Sequence, residues 1–168
     1  HLYQYNTWNN TPTYGGPVTV NVRDHATVEA QGANSPAIVA ISNGSYGGSG
    51  GVWVNIDKNA SVLANMDSGT GILAPMGITV NNDGFIQAKT AISAAQAVVV
   101  NNNGTIQGDV ILTGNGTFNN NAGGALWSGG TVQTTMLNNA GTLNPGGPGK
   151  FLNTHIVGGL EQKTGIYA

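Results

Sequence analysis

Three carboxylates recur at similar places in this sequence. Asp24, Asp57 and Asp83 each lie two or three residues after an Asn that ends a run of aliphatic residues. If the copies stack, such a column could bind calcium or supply the acid and base of polysaccharide cleavage. The corresponding residue of the next copy is Asn103, and Asp and Asn share a preference for turns closed by their own side chains. We therefore interpret the three carboxylates as turn residues, with calcium binding and catalysis as the alternatives.

His25 and His155 are the other candidate general bases. Neither has a G-x-S-x-G nucleophile motif nearby, and no motif brings a second metal ligand close to either one. The absence of cysteine excludes thiolate chemistry and Cys-based zinc sites. The sequence predicts surface histidines, no enzymatic activity, no metal and no cofactor.

The charge content argues against two classes of partner. Only 7% of the residues are charged, the net charge is −2, and the five Lys and Arg residues lie far apart. Nucleic acids and anionic membranes are bound by clustered basic residues, so we expect neither as a partner. No apolar run approaches the length of a membrane-spanning helix, and we expect a chain that is not inserted in a membrane.

The sequence contains a repeated segment, and the fold that this repeat predicts would determine where the side chains of any site lie. Six segments carry aliphatic residues that lead into an Asn, and each is followed by a turn and a further aliphatic residue. Parallel stacking of these copies would bring the six Asn side chains into one column, where the amides can hydrogen-bond from coil to coil. The residues of this predicted Asn ladder are Asn21, Asn55, Asn81, Asn101, Asn119 and Asn138.

Aliphatic residues define three predicted core columns. The first precedes the Asn ladder, and the second is Val28, Val62, Ile86, Ile106, Leu126 and Leu143. The third is Ile72, Ile92, Leu112 and Val132, which are spaced by 20 residues. Short strands at this period, without helical periodicity, predict an all-β fold. We expect a right-handed parallel β-helix of about six coils of roughly 20 residues each.

The departures from the repeat predict where a partner would bind. Residues 43–51 form a Gly- and Ser-rich loop with one aromatic residue, Tyr46, and Trp53 should point outward from the following strand. We take Tyr46 and Trp53 as candidate contact residues, with a plain surface loop and packing of Trp53 beneath it as the alternatives. Residues 1–17 are rich in aromatics and are expected to form a cap or first coil.

The phrases NNNGTIQGDVILTGNGTFNN, GGTV and LNNAGTLNPGG resemble the passenger domains of Gram-negative type V autotransporters. This resemblance implies secretion through the outer membrane to the cell surface, and a parent protein that continues into an outer-membrane β-barrel. It also implies that residues 18–145 are β-helix coils and that residues 146–168 lead into a truncated autochaperone-like cap. There, Gly159–Gln162 resemble a short phrase of the family that runs from a Gly to a Gln.

Three functions remain open at this level. The first is a non-catalytic stalk that displays loops for adhesion or self-association, with a host surface molecule or another copy of the chain as partner. The second is a polysaccharide-active parallel β-helix enzyme or a fragment of one. The third is an ice- or surface-binding solenoid, for which the Thr residues lack the regular array expected.

Overall fold

Alternating aliphatic and polar residues form strands throughout the described chain, because alternation turns every second side chain toward the core. A computed structural model describes residues 17–41 and 51–168. These residues form fifteen strands and no helix, and hence no apolar helix of membrane-spanning length. The strands are β1 (Val18–Val22), β2 (Thr27–Ala30), β3 (Pro36–Val39), β4 (Val52–Ile56), β5 (Ser61–Ala64), β6 (Thr70–Ala74), β7 (Ile78–Asn82), β8 (Phe85–Ala95), β9 (Val98–Asn102), β10 (Thr105–Thr113), β11 (Gly116–Asn120), β12 (Ala125–Asn139), β13 (Thr142–Leu143), β14 (His155–Gln162) and β15 (Ile166–Tyr167).

The strands stack in parallel on three faces. The first face runs β1, β4, β7, β9, β11, the last part of β12 and the last part of β14. The second contains β2, β5, the first parts of β8, β10 and β12, then β13 and β15. The third contains β3, β6, the later parts of β8 and β10, the middle of β12 and the start of β14. Long strands such as β8 therefore turn a corner and serve two faces.

This arrangement confirms the predicted all-β parallel solenoid. It makes about five turns, a small difference from the six coils predicted. The sixth coil, which begins at Met136, is irregular because residues 144–154 leave the strands before β14 resumes the stack. A solenoid suits this sequence because no single coil buries its own apolar face, whereas stacked coils bury it together.

Two of the predicted core columns are confirmed residue by residue. Parallel pairing aligns Val20, Val54, Val80, Val100, Phe118 and Leu137 on the first face. It aligns Val28, Val62, Ile86, Ile106, Leu126 and Leu143 on the second face. From Val54 and Val62 onward these side chains are almost completely buried. The hydrophobic core is thus a continuous rod of aliphatic side chains with one large aromatic, Phe118.

The third predicted column is wrong at Leu112. Val110, not Leu112, pairs with Ile92 and Val132, while Leu112 pairs with Ala94. The coil that contains Val110 crosses this corner with two residues fewer than the previous coil, and the register shifts on both sides of Asp109. The equal spacing of 20 residues arose because, on the third face of this coil, Val110 is the first inward residue and Leu112 is the second.

The three predicted segments of the chain can be compared with the described residues one by one. The aromatic cap assigned to residues 1–17 lies outside the described residues except for Pro17. Within the coils assigned to residues 18–145, the described residues 18–41 and 51–143 contain the stacked strands β1 to β13. Residues 146–168 contain an irregular segment followed by β14 and β15, which add a last layer to all three faces.

Candidate functional site

The predicted Asn column lies at the outer end of the first face, where each coil turns toward the second. The side-chain amide of each Asn donates to the amide oxygen of the Asn in the preceding coil, over 2.8–2.9 Å. Five such bonds join Asn21, Asn55, Asn81, Asn101, Asn119 and Asn138. We call this column the outer ladder. The amides of the outer ladder hydrogen-bond to one another and so join successive coils.

A second column of amides, which the sequence analysis missed, lies inside the core. Asn82 donates to Asn102, Asn102 to Asn120, and Asn120 to Asn139, over 2.7–2.8 Å, and Asn139 donates to Gln162 over 2.9 Å. The four Asn residues are at most 1% exposed. We call this column the inner ladder. The sequence signal was the Asn doublet in the last four copies, because alternation along a strand turns the second Asn inward when the first points out.

The inner ladder is also bonded to the turns. The amide nitrogen of Asn102 donates to the carbonyl oxygen of Ala125 at 3.1 Å, and that of Asn120 donates to Thr142 at 3.0 Å. A backbone carbonyl can only accept, so each of these carbonyls must face the NH₂ end of the Asn side chain. The oxygen end of the same side chain then faces the Asn of the preceding coil. At the first rung, the oxygen of Asn82 is buried without a hydrogen-bond partner, because the preceding coil places Ile56 there. The inner ladder therefore begins at Asn82.

The three recurring carboxylates do not form one site. Asp24 pairs with the neighbouring His25 at 2.8 Å, and both side chains are at least 80% exposed. Asp57 and Asp83 occupy equivalent positions of successive coils, since their backbone amides bond to the same position of the coil before each one. The described residues contain no cluster of three or more His, Asp or Glu side chains that could hold a metal ion.

Asp83 begins a third polar column. Asn103 donates its side-chain amide to the Asp83 carboxylate at 2.7 Å, and Asn121 donates to Asn103 at 2.8 Å. We call Asp83, Asn103 and Asn121 the polar rail, because they are neighbours on the exposed edge of the turns. Asp83, Asn103 and Asn121 do lie in turns, but the predicted closure of each turn by its own side chain is not seen in these three, because their side-chain bonds run between coils.

A shallow depression lies beside this rail, on the turns between the first and second faces. It has a volume of about 250 Å³ and is lined by Lys58, Asn59, Ala60, Ser61, Asp83, Gly84, Phe85, Gly104 and Thr105. The chemical groups that line it are one ammonium, one carboxylate, one amide, two hydroxyls and one aromatic ring. The sequence analysis did not single out this place, although the unequal turn lengths that create it were visible.

Trp53 and Tyr46 were the predicted contact residues. Trp53 points outward between the buried Val52 and Val54, and it is 36% exposed. Its ring lies directly against Gly51, at the end of the preceding loop, so it is also partly packed. Tyr46 lies outside the described residues.

Asp109 is a partly buried carboxylate with a structural role. The side chain of Asp109 is 15% exposed, accepts a hydrogen bond from the backbone amide of Thr131 at 2.9 Å, and lies 3.7 Å from the Lys89 ammonium. It also fills the space beside Gly129, where a Cβ atom would collide with the carboxylate. His155 is exposed at the start of β14. Asp109 thus supports the corner of the next coil.

No protein-family model matches the chain, and neither the curated proteins nor the solved structures contain a match to it. The structural class is a parallel β-solenoid. Function is therefore inferred from the described residues.

Proposed function

We propose that this chain is a non-catalytic stalk from the secreted passenger of a bacterial autotransporter, and that it displays binding features at the cell surface. Its partner is a host surface molecule or another copy of the chain. The observation that carries the proposal is the parallel stack of the described coils, with one amide ladder on the outside of the first face and one on its inside. Such a stack is a rigid support, because each coil is held to the next by backbone and side-chain bonds.

The outward columns support a role in contact. The outward column of the first face is Thr19, Trp53, Thr79, Val99, Thr117 and Met136, and that of the third is Val39, Leu73, Ser93, Ile111, Gln133 and Val157. Neither column contains a charged residue, and several of the apolar side chains are more than a third exposed. Uncharged columns of this kind can approach another surface without the cost of removing charges from water, while the next outward column of the third face carries Asp109 and His155.

The enzyme alternative has less support. Hydrolysis of a glycosidic bond uses a pair of carboxylates on either side of the scissile bond. Of the described residues that line the depression, Asp83 alone has a carboxylate, and one of its oxygens already accepts a bond from Asn103. We therefore place the stalk first.

A bead assay tests the display proposal. The 168-residue chain is attached to beads through its C-terminus, and bead clustering and attachment to cultured epithelial cells are counted. We expect coated beads to cluster or attach more than uncoated beads, and Trp53→Thr or removal of residues 43–50 to reduce this. Thr is tolerated at position 53 because Thr19 and Thr79 flank it in the same column.

The matched control is Phe151→Thr, which removes a fully exposed ring from the irregular segment instead. Coated beads that behave as uncoated beads would contradict the display proposal. Release of sugar fragments from a polysaccharide by the purified chain would favour the enzyme alternative.

A further inference from the structure

The depression beside the polar rail follows from unequal turn lengths. The turns of the second and fifth coils contain four residues, 57–60 and 121–124, whereas those of the third and fourth coils contain two, 83–84 and 103–104. In the longer turns a backbone bond closes a β-turn, from Ala60 to Asp57 at 3.0 Å and from Gly124 to Asn121 at 2.9 Å. The two central residues of each longer turn therefore project beyond the short turns.

The result is a notch two coils high. Lys58 and Asn59 line the depression on one side. On the other side, beyond the lining residues Gly104 and Thr105, the next longer turn has Ala122 and Gly123 at its centre. Coils stack at about 4.8 Å, so the two projecting turns are separated by about 14 Å. Between them the short turns end in Gly84 and Gly104, each packed directly on the carbonyl of the coil before it, so backbone forms the floor. We call this space the turn notch.

The turn notch has polar groups on one side and a ring on the other. On the side of the first face, the polar rail leaves the second oxygen of Asp83 and the second amide hydrogen of Asn103 without a partner among the described residues. On the side of the second face lies the half-buried ring of Phe85, which meets Trp127 edge to face at 6.3 Å. None of the described residues forms an ion pair with Lys58.

We propose that the turn notch binds an uncharged pyranose unit of a surface glycan. A pyranose has an apolar face that packs on an aromatic ring and hydroxyls that both donate and accept hydrogen bonds. The lining residues match this with the ring of Phe85 and with one carboxylate, one amide, two hydroxyls and one ammonium. Asp57, which precedes Lys58 and is aligned with Asp83, makes the surroundings unfavourable for a carboxylated sugar. This inference rests on the proposed display function and names one class of partner for it.

Saturation-transfer NMR with the purified chain tests the proposal. The probes are galactose, glucose and N-acetylglucosamine, with glucuronic acid and N-acetylneuraminic acid as charged counterparts. We expect signal transfer to at least one neutral sugar and weaker transfer to both acids. Failure of every neutral sugar to bind, or tighter binding of the acids, would overturn the proposal.

Two variants locate the binding. Phe85→Thr should weaken binding about tenfold by removing the stacking surface. Thr is accommodated there because Thr27, Ser61, Thr105, Ala125 and Thr142 occupy the same column. Replacing Asn103–Gly104 with the four-residue sequence of 57–60 should fill the notch and abolish binding. Phe151→Thr is the matched control and should bind as the native chain does.

The outcomes separate the two proposals. Unchanged sugar binding in Phe85→Thr would overturn the notch as the site. If no sugar binds but coated beads still attach or cluster, the notch proposal fails while the display function stands. If the sugar binds and oligosaccharides are cleaved, the non-catalytic function fails.

Discussion

Buried asparagines in the middle of this solenoid have both ends of their amides bonded. In the inner ladder, Asn102 accepts from Asn82 and donates to Asn120 and to the Ala125 carbonyl. In the outer ladder, Asn101 donates to Asn81 and accepts from Asn119, and its side chain is partly exposed to solvent. A buried polar group that loses its partner costs more free energy than an exposed one, because water cannot replace the partner.

We therefore expect Asn102→Leu to lower the free energy of unfolding by about 2–3 kcal/mol. The substitution leaves the oxygen of Asn120 and the carbonyl of Ala125 without this donor. The matched variant is Asn101→Leu on the half-exposed outer ladder, which should cost about 0.5–1.5 kcal/mol. Chemical denaturation of both variants measures the difference. Equal costs, or a larger cost at Asn101, would contradict the role given to the inner ladder.

The residue scale also shows what the sequence could predict. The outer Asn positions follow from a repeated phrase, and the structure aligns them in that register. The inner Asn positions stand beside them in four doublets, but no role was assigned to them from the sequence. Comparing the six copies did not reveal them, because the first two coils have Val22 and Ile56 where the later coils have the inner Asn. A buried Asn is recognised only once alternation along the strand is followed to its last residue.

At the scale of the strands, the corners decide the register. Gly108 bends β10 between the second and third faces, with a φ of +126°, and a Cβ atom there would collide with the carbonyl oxygen of Ala88. This close approach accompanies the two-residue shortening that moved Leu112 out of its predicted column. The spacing along the sequence gives the length of a coil, but it does not show at which corner a coil is shorter. The misplacement of Leu112 therefore could not be avoided from spacing alone.

Gly108→Ala should accordingly lower the free energy of unfolding by at least about 3 kcal/mol, from backbone strain and the collision together. Gly123 is the control, because its φ of +90° is also unusual but a Cβ atom there would meet nothing within 4 Å. Gly123→Ala should cost about 1 kcal/mol, from strain alone. Urea denaturation distinguishes them, and a tolerated Gly108→Ala would show that the corner geometry is wrong.

At the scale of the whole molecule, the middle of the rod differs from its C-terminal end. The central coils bury their inward side chains completely. In the last layer, Leu160 and Tyr167 continue the inward columns but are 43% and 59% exposed. Stability in such a stack depends on neighbours on both sides, so we expect the C-terminal layer to open more readily than the centre.

Hydrogen exchange followed by NMR tests this account of a ladder-stabilised rod most directly. We predict that the backbone amides of β7, β9 and β11 exchange slowest and those of β14 and β15 much faster. The side-chain amide hydrogens of Asn102 and Asn120 should be protected, whereas those of the half-exposed Asn101 should exchange sooner. Uniformly fast exchange across residues 78–139, or unprotected side-chain amides at Asn102 and Asn120, would contradict the stacked solenoid and its inner ladder.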